Sequence, residues 1–143
     1  MTANEEFAEV VRHRTQLAQA MGAVEQAAAA PIGKKSWLED LVGSLHQLEI
    51  AWHDHTAEVQ TPTGLLDRIV EEAPRLERAV TQIREAHTTL AEEIKAAIRL
   101  ATDGAEPTKL RDAAVEALVA VTRHRQQGAD LIYEAYDVDI GGY

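Results

Sequence analysis

The stretch "WLEDLVGSLHQLEIAWHDHTAEV", residues 37–59, decides the fold. Apolar side chains and one histidine recur along it at alternating spacings of three and four residues. These core positions are Leu38, Leu41, Leu45, Leu48, Trp52, His55 and Val59. The spacing places all of them on one face of an α-helix, and such a face needs partner helices to cover it.

Three further stretches have the same periodicity, and capping signals indicate where the first two helices begin. The pattern Thr-x-x-Glu at residues 2–5 and the pattern Ser-x-x-Glu at residues 36–39 both fit a capping box. We expect the first helix to end near Ala29, before "APIGKK", and the second to end near Val59, before "QTPTG".

Proline and loop residues divide the second half of the chain. "LLDRIVEEA", residues 65–73, predicts a short helix, and Pro74 suits the first turn of a third long helix that runs to about Ala101. A fourth long helix begins near Pro107 and runs to about Tyr136. The break at Pro74 matters because it sets the height of every residue in the third helix.

The predicted fold class is all-α: an up-down-up-down four-helix bundle, with a short extra helix between helices 2 and 3. Residues 1–136 are assigned to the bundle, and residues 137–143 to a C-terminal tail without periodicity. We expect one domain, because 143 residues suit a single sizeable core and no internal linker divides the chain.

Composition excludes several classes of protein. The chain has no cysteine, which rules out disulfides, thiolate metal sites and cysteine nucleophiles. Its formal charge of −10 disfavours general electrostatic binding to nucleic acid or to an anionic membrane, so neither is expected as a partner. The start, "MTANEEFAEVV", lacks a basic segment followed by an apolar one, and no apolar run approaches the ~20 residues of a membrane span. We therefore expect a cytoplasmic protein.

Each of the four predicted long helices has one histidine among the core positions of its apolar face, which we call its stripe. These residues are His13, His55, His87 and His124. His46 and His53 fall outside the stripes and are expected at the surface. Counting residues from a common end of the bundle, at ~1.5 Å per residue, places all the core histidines except His55 in one layer. His55 is expected near or just below that layer.

Converging buried imidazoles need partners in a low-dielectric interior. A metal ion would supply one, and with imidazoles and no thiolate the candidates are iron, zinc, copper, manganese or a bis-histidine haem. Glu58, three residues after His55, flanks the stripe and is placed to act as a ligand or as a hydrogen-bond acceptor for one. The alternative is a metal-free bundle, an interaction or scaffold domain whose histidines form a buried hydrogen-bonded network.

The order of these residues resembles the hemerythrin-like (HHE cation-binding) domain family, whose four-helix bundles hold a non-haem di-iron centre. The resemblance covers most of the chain and rests on four motifs. They are "VRHRTQL" in the first helix, "AWHDHTAEV" in the second, "APRLERAVTQIREAHTTL" across the break into the third, and "RHRQQGADLIYEAY" in the fourth. The family has a histidine, then histidine with glutamate, then histidine, then histidine with a carboxylate.

The resemblance implies a metal site with fewer ligands than the family uses. The implied metal ligands are His13, His55, Glu58, His87 and His124. Glu58 is one residue closer to its histidine than in the family pattern. Ala91 and Ala129 stand where the family has a histidine and an aspartate.

The resemblance also implies a function. The cofactor is expected to be non-haem iron, mononuclear or dinuclear, with zinc or an absence of metal as the alternatives. The expected role is to bind or sense O2, NO or a peroxide, or to store metal, with a small diatomic molecule as the partner. We expect a binding protein rather than an enzyme, and the oligomeric state stays open.

Overall fold

A computed structural model describes residues 3–62 and 64–137 of the chain, apart from the side chains at positions 3, 4, 6, 7 and 10. The described residues are mostly α-helical and contain no β-strand, so the predicted all-α class is confirmed. Thr2 of the first predicted capping box, and the predicted tail beyond Asp137, lie outside the described residues.

The order of the helices follows the predicted one and includes the short extra helix. The helices are α1 (Ala3–Ala29), α2 (Trp37–Gln60), the short α3 (Leu65–Glu72), α4 (Glu77–Thr102) and α5 (Pro107–Tyr136). A 3-10 turn, Pro74–Leu76, leads into α4, so the predicted break at Pro74 is confirmed. Within the described ranges, no helix combines the length and the apolar character needed to cross a bilayer.

Local chemistry explains several of these boundaries. Pro74 and Pro107 occupy first-turn positions, where a missing N–H costs no helical hydrogen bond. Gly104, with a φ of 73°, lets the chain turn sharply after α4. Ser36 lies at the N-cap of α2, but in the described structure its hydroxyl donates to the Asp40 carboxylate at 2.9 Å and makes no cap hydrogen bond. The second predicted capping box is therefore right in position and wrong in its hydrogen bond.

The long helices pack in the pairs α1–α2, α2–α4, α4–α5 and α1–α5, and α3 lies against α2, α4 and α5. Polar contacts at the surface add to this packing. Arg84 of α4 pairs with the Asp67 carboxylate of α3 at 2.7 Å, and Gln16 of α1 donates to Asp54 of α2 at 3.1 Å. Burial of apolar side chains carries most of the stability, because each buried leucine or isoleucine contributes about 1.5–3 kcal/mol.

The predicted stripes of α2, α4 and α5 are buried with one exception, at the start of α2. Leu38, predicted in the core, is 51% exposed, whereas the neighbouring Trp37 is 2% exposed. Both lie within one turn of Leu41, and the larger aromatic side chain takes the inward position. The Arg111 guanidinium of α5 then lies 5.7 Å from the centre of the Trp37 ring. The prediction for Leu38 is therefore wrong.

The core consists of two apolar clusters that follow one another along the bundle. The larger cluster includes Leu17, Leu45, Trp52, Leu90 and Val121. The smaller cluster forms where α3 covers the bundle and includes Val59, Leu66, Ile83 and Leu131. Each of α2, α4 and α5 contributes to both clusters, so the residues between them share one level of the bundle.

Candidate metal centre

Three histidines occupy the level between the two apolar clusters. On α2, His55 lies between Trp52 of the larger cluster and Val59 of the smaller one. His87 on α4 and His124 on α5 occupy the corresponding places on their helices. The heptad spacing that builds the core thus brings one imidazole from each of three helices to the same level.

The three imidazole rings meet in the interior. The ring centres are 5.7 Å apart for His55 and His87, 5.8 Å for His55 and His124, and 4.7 Å for His87 and His124. One ring nitrogen from each residue lies within 4.8 Å of those of the other two. Each residue is at most 3% exposed, so the rings are removed from bulk water. We call these three residues the histidine cluster.

Burial keeps the histidine cluster neutral at physiological pH. Desolvation, reinforced by the charges of His124 and His13, lowers the pKa of His55 to about 3. Desolvation, reinforced by His124 and His55, lowers the pKa of His87 to about 2. Desolvation lowers the pKa of His124 to about 4. A neutral imidazole carries the lone pair that a metal ion requires.

Gln60, the last residue of α2, orients the ring of His87. Its side-chain oxygen Oε1 accepts a hydrogen bond from Nδ1 of His87. A neutral imidazole that donates from Nδ1 has its lone pair on Nε2. Within the described residues, this Nε2 atom is buried and has no hydrogen-bond partner. A buried lone pair without a partner costs free energy, and a metal ion at this point would remove that cost.

Trp52 covers one side of the histidine cluster. The centre of its ring lies 5.5 Å from that of His55, 5.6 Å from that of His87 and 4.9 Å from that of His124. The indole Nε1 donates a hydrogen bond of 3.1 Å to the backbone oxygen of His87. Trp52 therefore ties α2 to α4 next to the cluster and gives the centre an apolar wall.

His13 and Glu58, two of the predicted ligands, lie in a neighbouring group with Glu9. The ligand atoms of these three residues all lie within 4.8 Å of one another. Nδ1 of His13 is 3.9 Å from a carboxylate oxygen of Glu58. His13 contributes to the lowered pKa of His55, so the group lies beside the histidine cluster. We call it the α1–α2 group.

The structure therefore divides the predicted ligand set in two. His55, predicted near or just below the histidine layer, lies in the cluster with His87 and His124. His13, predicted within that layer, lies in the α1–α2 group instead. The helical rise alone could not distinguish the two positions. His46 is exposed, as predicted.

Two residues of the centre were not predicted from the sequence. Glu9 had a usable signal, because it precedes His13 by four residues, the spacing that brings two side chains onto one helix face. Gln60 had none, because the histidine that it contacts belongs to another helix. The role of Trp52 was only partly foreseen, since its place in the core was predicted and its contact with three imidazoles was not.

The histidine cluster offers three neutral imidazole nitrogens and no sulfur. No family model, curated protein or solved structure matches the chain. The chemistry of the centre therefore follows from its donor atoms. Imidazole nitrogens bound at ~2.0–2.1 Å around one tetrahedral metal ion lie about 3.4 Å apart. Spacings of up to 4.8 Å fit such an ion after the rings move slightly inward. Imidazole donors suit iron, zinc, copper and nickel.

Proposed function

We propose that the chain is a metal-binding protein of the hemerythrin-like kind, which holds a transition metal ion through His55, His87 and His124. The observation that carries the proposal is the approach of three buried, neutral imidazole nitrogens to within 4.8 Å of one another. Non-haem iron is the proposed metal and zinc is the alternative, because both bind imidazole.

The proposed topology is the up-down-up-down order. Its support is that α1 and α2 pack together, as do α4 and α5, and that only a short loop joins the members of each pair. A helix joined by a short loop to its packed neighbour runs antiparallel to it. The longer connection between α2 and α4 contains α3. Antiparallel neighbours bring the middle of α4 and of α5 to the level of the C-terminal half of α2.

His13 and Glu58 complete the proposed set of five metal-binding residues from the neighbouring group. A dication held by three neutral imidazoles keeps its charge in a poorly solvated interior, which costs free energy unless negative charge lies close by. Glu58, one turn from His55, supplies such a charge. Arg84 and Arg125 act in the opposite sense, since their charges also lower the pKa values of cluster histidines.

A metal ion in this centre would supply a Lewis-acidic position, and iron would also supply a redox-active one. The proposed role is to bind or sense O2, NO or a peroxide there, or to store the metal. The chain itself contributes neutral donors, the orienting hydrogen bond between Gln60 and His87, and the apolar wall of Trp52. We propose a binding role and not a catalytic one.

A second candidate function is that of a metal-free interaction or scaffold domain with a buried histidine network. The packing of the rings favours it, because Trp52 meets His87 and His124 edge to face, at interplanar angles of 81° and 78°. Such contacts are stable without a metal ion. Against it stands Nε2 of His87, which makes no hydrogen bond within the described structure, whereas a completed network would satisfy it.

Elemental analysis and a visible spectrum of protein expressed with added iron test the metal-binding proposal. We expect near-stoichiometric metal in the wild type and its loss in a His87→Ala variant. A His46→Ala variant is the matched control, because His46 is exposed and lies on the same bundle. Thermal unfolding with and without a chelator gives a second readout, since a ligand that binds only the folded state raises its stability.

Two results would contradict the proposal. One is metal far below stoichiometric amounts together with a thermal stability that the chelator leaves unchanged. The other is equal metal content in folded His87→Ala protein and in the His46→Ala control. Either result would favour the metal-free bundle.

A further inference from the structure

Four charged side chains of alternating sign lie along the exposed face of α5. They are spaced seven residues apart and are all exposed: Lys109, Glu116, Arg123 and Asp130. Seven residues make two helical turns, so the four lie along one edge of the helix, about 10.5 Å from one to the next. Charges on one helix pair at spacings of three or four residues, so these four cannot pair with one another within α5. We call them the α5 charge row.

Two exposed valines lie beside the α5 charge row. The side chains of Val115 and Val119 are 45% and 52% exposed, although α5 packs against both α1 and α4. They border a groove between α1 and α5, whose walls include Met21 and Leu118, and a groove between α4 and α5, whose walls include Leu100. Apolar side chains four residues apart form a ridge between these grooves. A ridge with charges along its edge is typical of a helix that packs against another helix.

The order of the charges favours a second copy of α5, running antiparallel, as the partner helix. With a two-fold axis between positions 119 and 120, Glu116 lies opposite the partner's Arg123. Lys109 likewise lies opposite the partner's Asp130, and symmetry repeats each pair. The two Val119 side chains meet at the axis. A parallel pair, or an antiparallel pair shifted by seven residues, would instead bring like charges together.

The balance of charge in this row matters because the whole chain has a formal charge of −10. Two chains with the same net charge repel each other. The α5 charge row is neutral in sum, so pairing two rows adds no net repulsion at the contact. In the described part of the chain, Glu116 and Arg123 form no ion pair that the contact would have to break. Asp130 accepts a hydrogen bond of 2.9 Å from the exposed Gln126, which water can replace.

We propose that this face of α5 is a dimerisation surface, on which a second copy of the chain packs antiparallel and pairs Glu116 with the partner's Arg123. α5 has 30 residues, and the charge row spans about 32 Å of its length, so the contact extends over most of the helix. The inference goes beyond the proposed function and does not depend on it. Arg123 is exposed whereas the adjacent His124 is buried, so the dimerisation surface and the histidine cluster occupy different faces of α5.

Analytical ultracentrifugation of the whole chain over a range of concentrations tests the proposal. A chelator is present throughout, so that no metal ion bridges two chains. Salt at about 0.15 M screens the long-range repulsion beyond about 8 Å. We expect the wild type to form dimers as the concentration rises.

Two charge reversals and one control locate the surface. Glu116→Arg and Arg123→Glu each bring like charges together at two places in the dimer. Each is expected to weaken dimerisation by at least about 10-fold. Glu49→Arg is the matched control, because it makes the same change on α2, which packs mainly against α1 and α4. It is expected to dimerise as the wild type does.

An equimolar mixture of Glu116→Arg and Arg123→Glu proteins tests the pairing itself. In a mixed dimer, position 116 of each chain again lies opposite a charge of the other sign at position 123. The mixture is therefore expected to regain the affinity of the wild type, although neither variant dimerises well alone. Such a recovery would also show that both variants are folded.

Three results would overturn the proposal. The first is a wild type that stays monomeric up to millimolar concentrations. The second is equal dimerisation of folded Glu116→Arg and Glu49→Arg proteins, which would place the contact on another surface. The third is a mixture that dimerises as weakly as its two components when circular dichroism shows both to be folded. Every measurement is made without metal, so none of these results decides whether the histidine cluster binds one.

Discussion

Nδ1 of His87 donates a hydrogen bond to Oε1 of Gln60, and this contact joins the middle of α4 to the last residue of α2. Its effect is to place the lone pair of the neutral imidazole on Nε2. Proteins commonly orient imidazole ligands in this way, with a partner on the nitrogen that does not bind the metal. Gln60 therefore acts on the proposed centre through His87 without being a ligand.

Gln60→Leu is expected to weaken metal binding at the histidine cluster about 10- to 100-fold, because Nδ1 of His87 loses its acceptor and the ring loses its orientation. Calorimetric titration with Zn2+ measures the change. Gln47→Leu, at an exposed position of the same helix, is the matched control. Equal Zn2+ affinities in the two variants would show that Gln60 does not orient the ligand.

The two buried tryptophans of α2 are expected to respond differently to replacement by phenylalanine. Nε1 of Trp52 donates to the backbone oxygen of His87, whereas Nε1 of Trp37 has no hydrogen-bond partner within the described structure. Both variants leave a cavity, but only Trp52→Phe also removes a hydrogen bond. Trp52→Phe should therefore lower the free energy of unfolding by about 1–2 kcal/mol more than Trp37→Phe. Urea unfolding followed by circular dichroism measures the difference, and equal losses would contradict it.

The helices were predictable because their signals are local. The stripe of α4 is set by the spacing of apolar residues around His87, and the start of the helix by Pro74. At a helix end, the spacing of apolar residues does not decide which side chain is buried, because a single turn offers two candidate positions. Trp37 and Leu38 both lie one turn from the next core residue, and only packing against α5 decides which of them is buried.

The centre was harder to predict, because it depends on the relative heights of the helices. An error of two or three residues in a boundary moves a side chain by about 3–5 Å along the helix axis, which is as large as the spacing within the cluster. The sequence thus identified His55, His87 and His124 as core residues, but it could not separate them from His13. The contact between Gln60 and His87 could not be predicted from the periodicity of the sequence, because it depends on how two helices are rotated relative to each other.

The metal-free protein is expected to lose stability as the pH falls below about 6.5, where histidines of the unfolded chain take up protons. In the folded chain, burial lowers the pKa values of His55, His87 and His124 to about 3, 2 and 4. Between pH 6.5 and 4 the unfolded state therefore binds more protons than the folded state. The free energy of unfolding therefore falls as the pH falls, by about 1.4 kcal/mol per pH unit for each extra proton that the unfolded state binds. The stability that the neutral histidines contribute is fully present above pH 6.5 and declines below it.

Urea unfolding at a series of pH values between about 7 and 4 measures this slope. His124→Gln should reduce the slope of the unfolding free energy against pH by the contribution of one proton. His46→Gln, at an exposed position, should leave the slope unchanged. Saturating Zn2+ should move the loss of stability to lower pH, because protons must then displace the metal from the folded state. A slope that is the same in the wild type and in His124→Gln would contradict the prediction.

Metal binding at the histidine cluster is expected to change the fluorescence of Trp52 and to leave that of Trp37 almost unchanged. The ring of Trp52 lies within 5.6 Å of all three cluster imidazoles, whereas Trp37 lies at the opposite end of α2, roughly 22 Å away along the helix axis. A quenching ion such as Cu2+ should therefore strongly quench a Trp37→Phe variant, whose remaining tryptophan is Trp52, and scarcely affect a Trp52→Phe variant. The exposed His53 lies beside Trp52 in the same surface pocket, so Cu2+ bound there is the competing explanation. Quenching that persists when His53→Gln is added to Trp37→Phe would assign the effect to the cluster, and its disappearance would contradict the proposed centre.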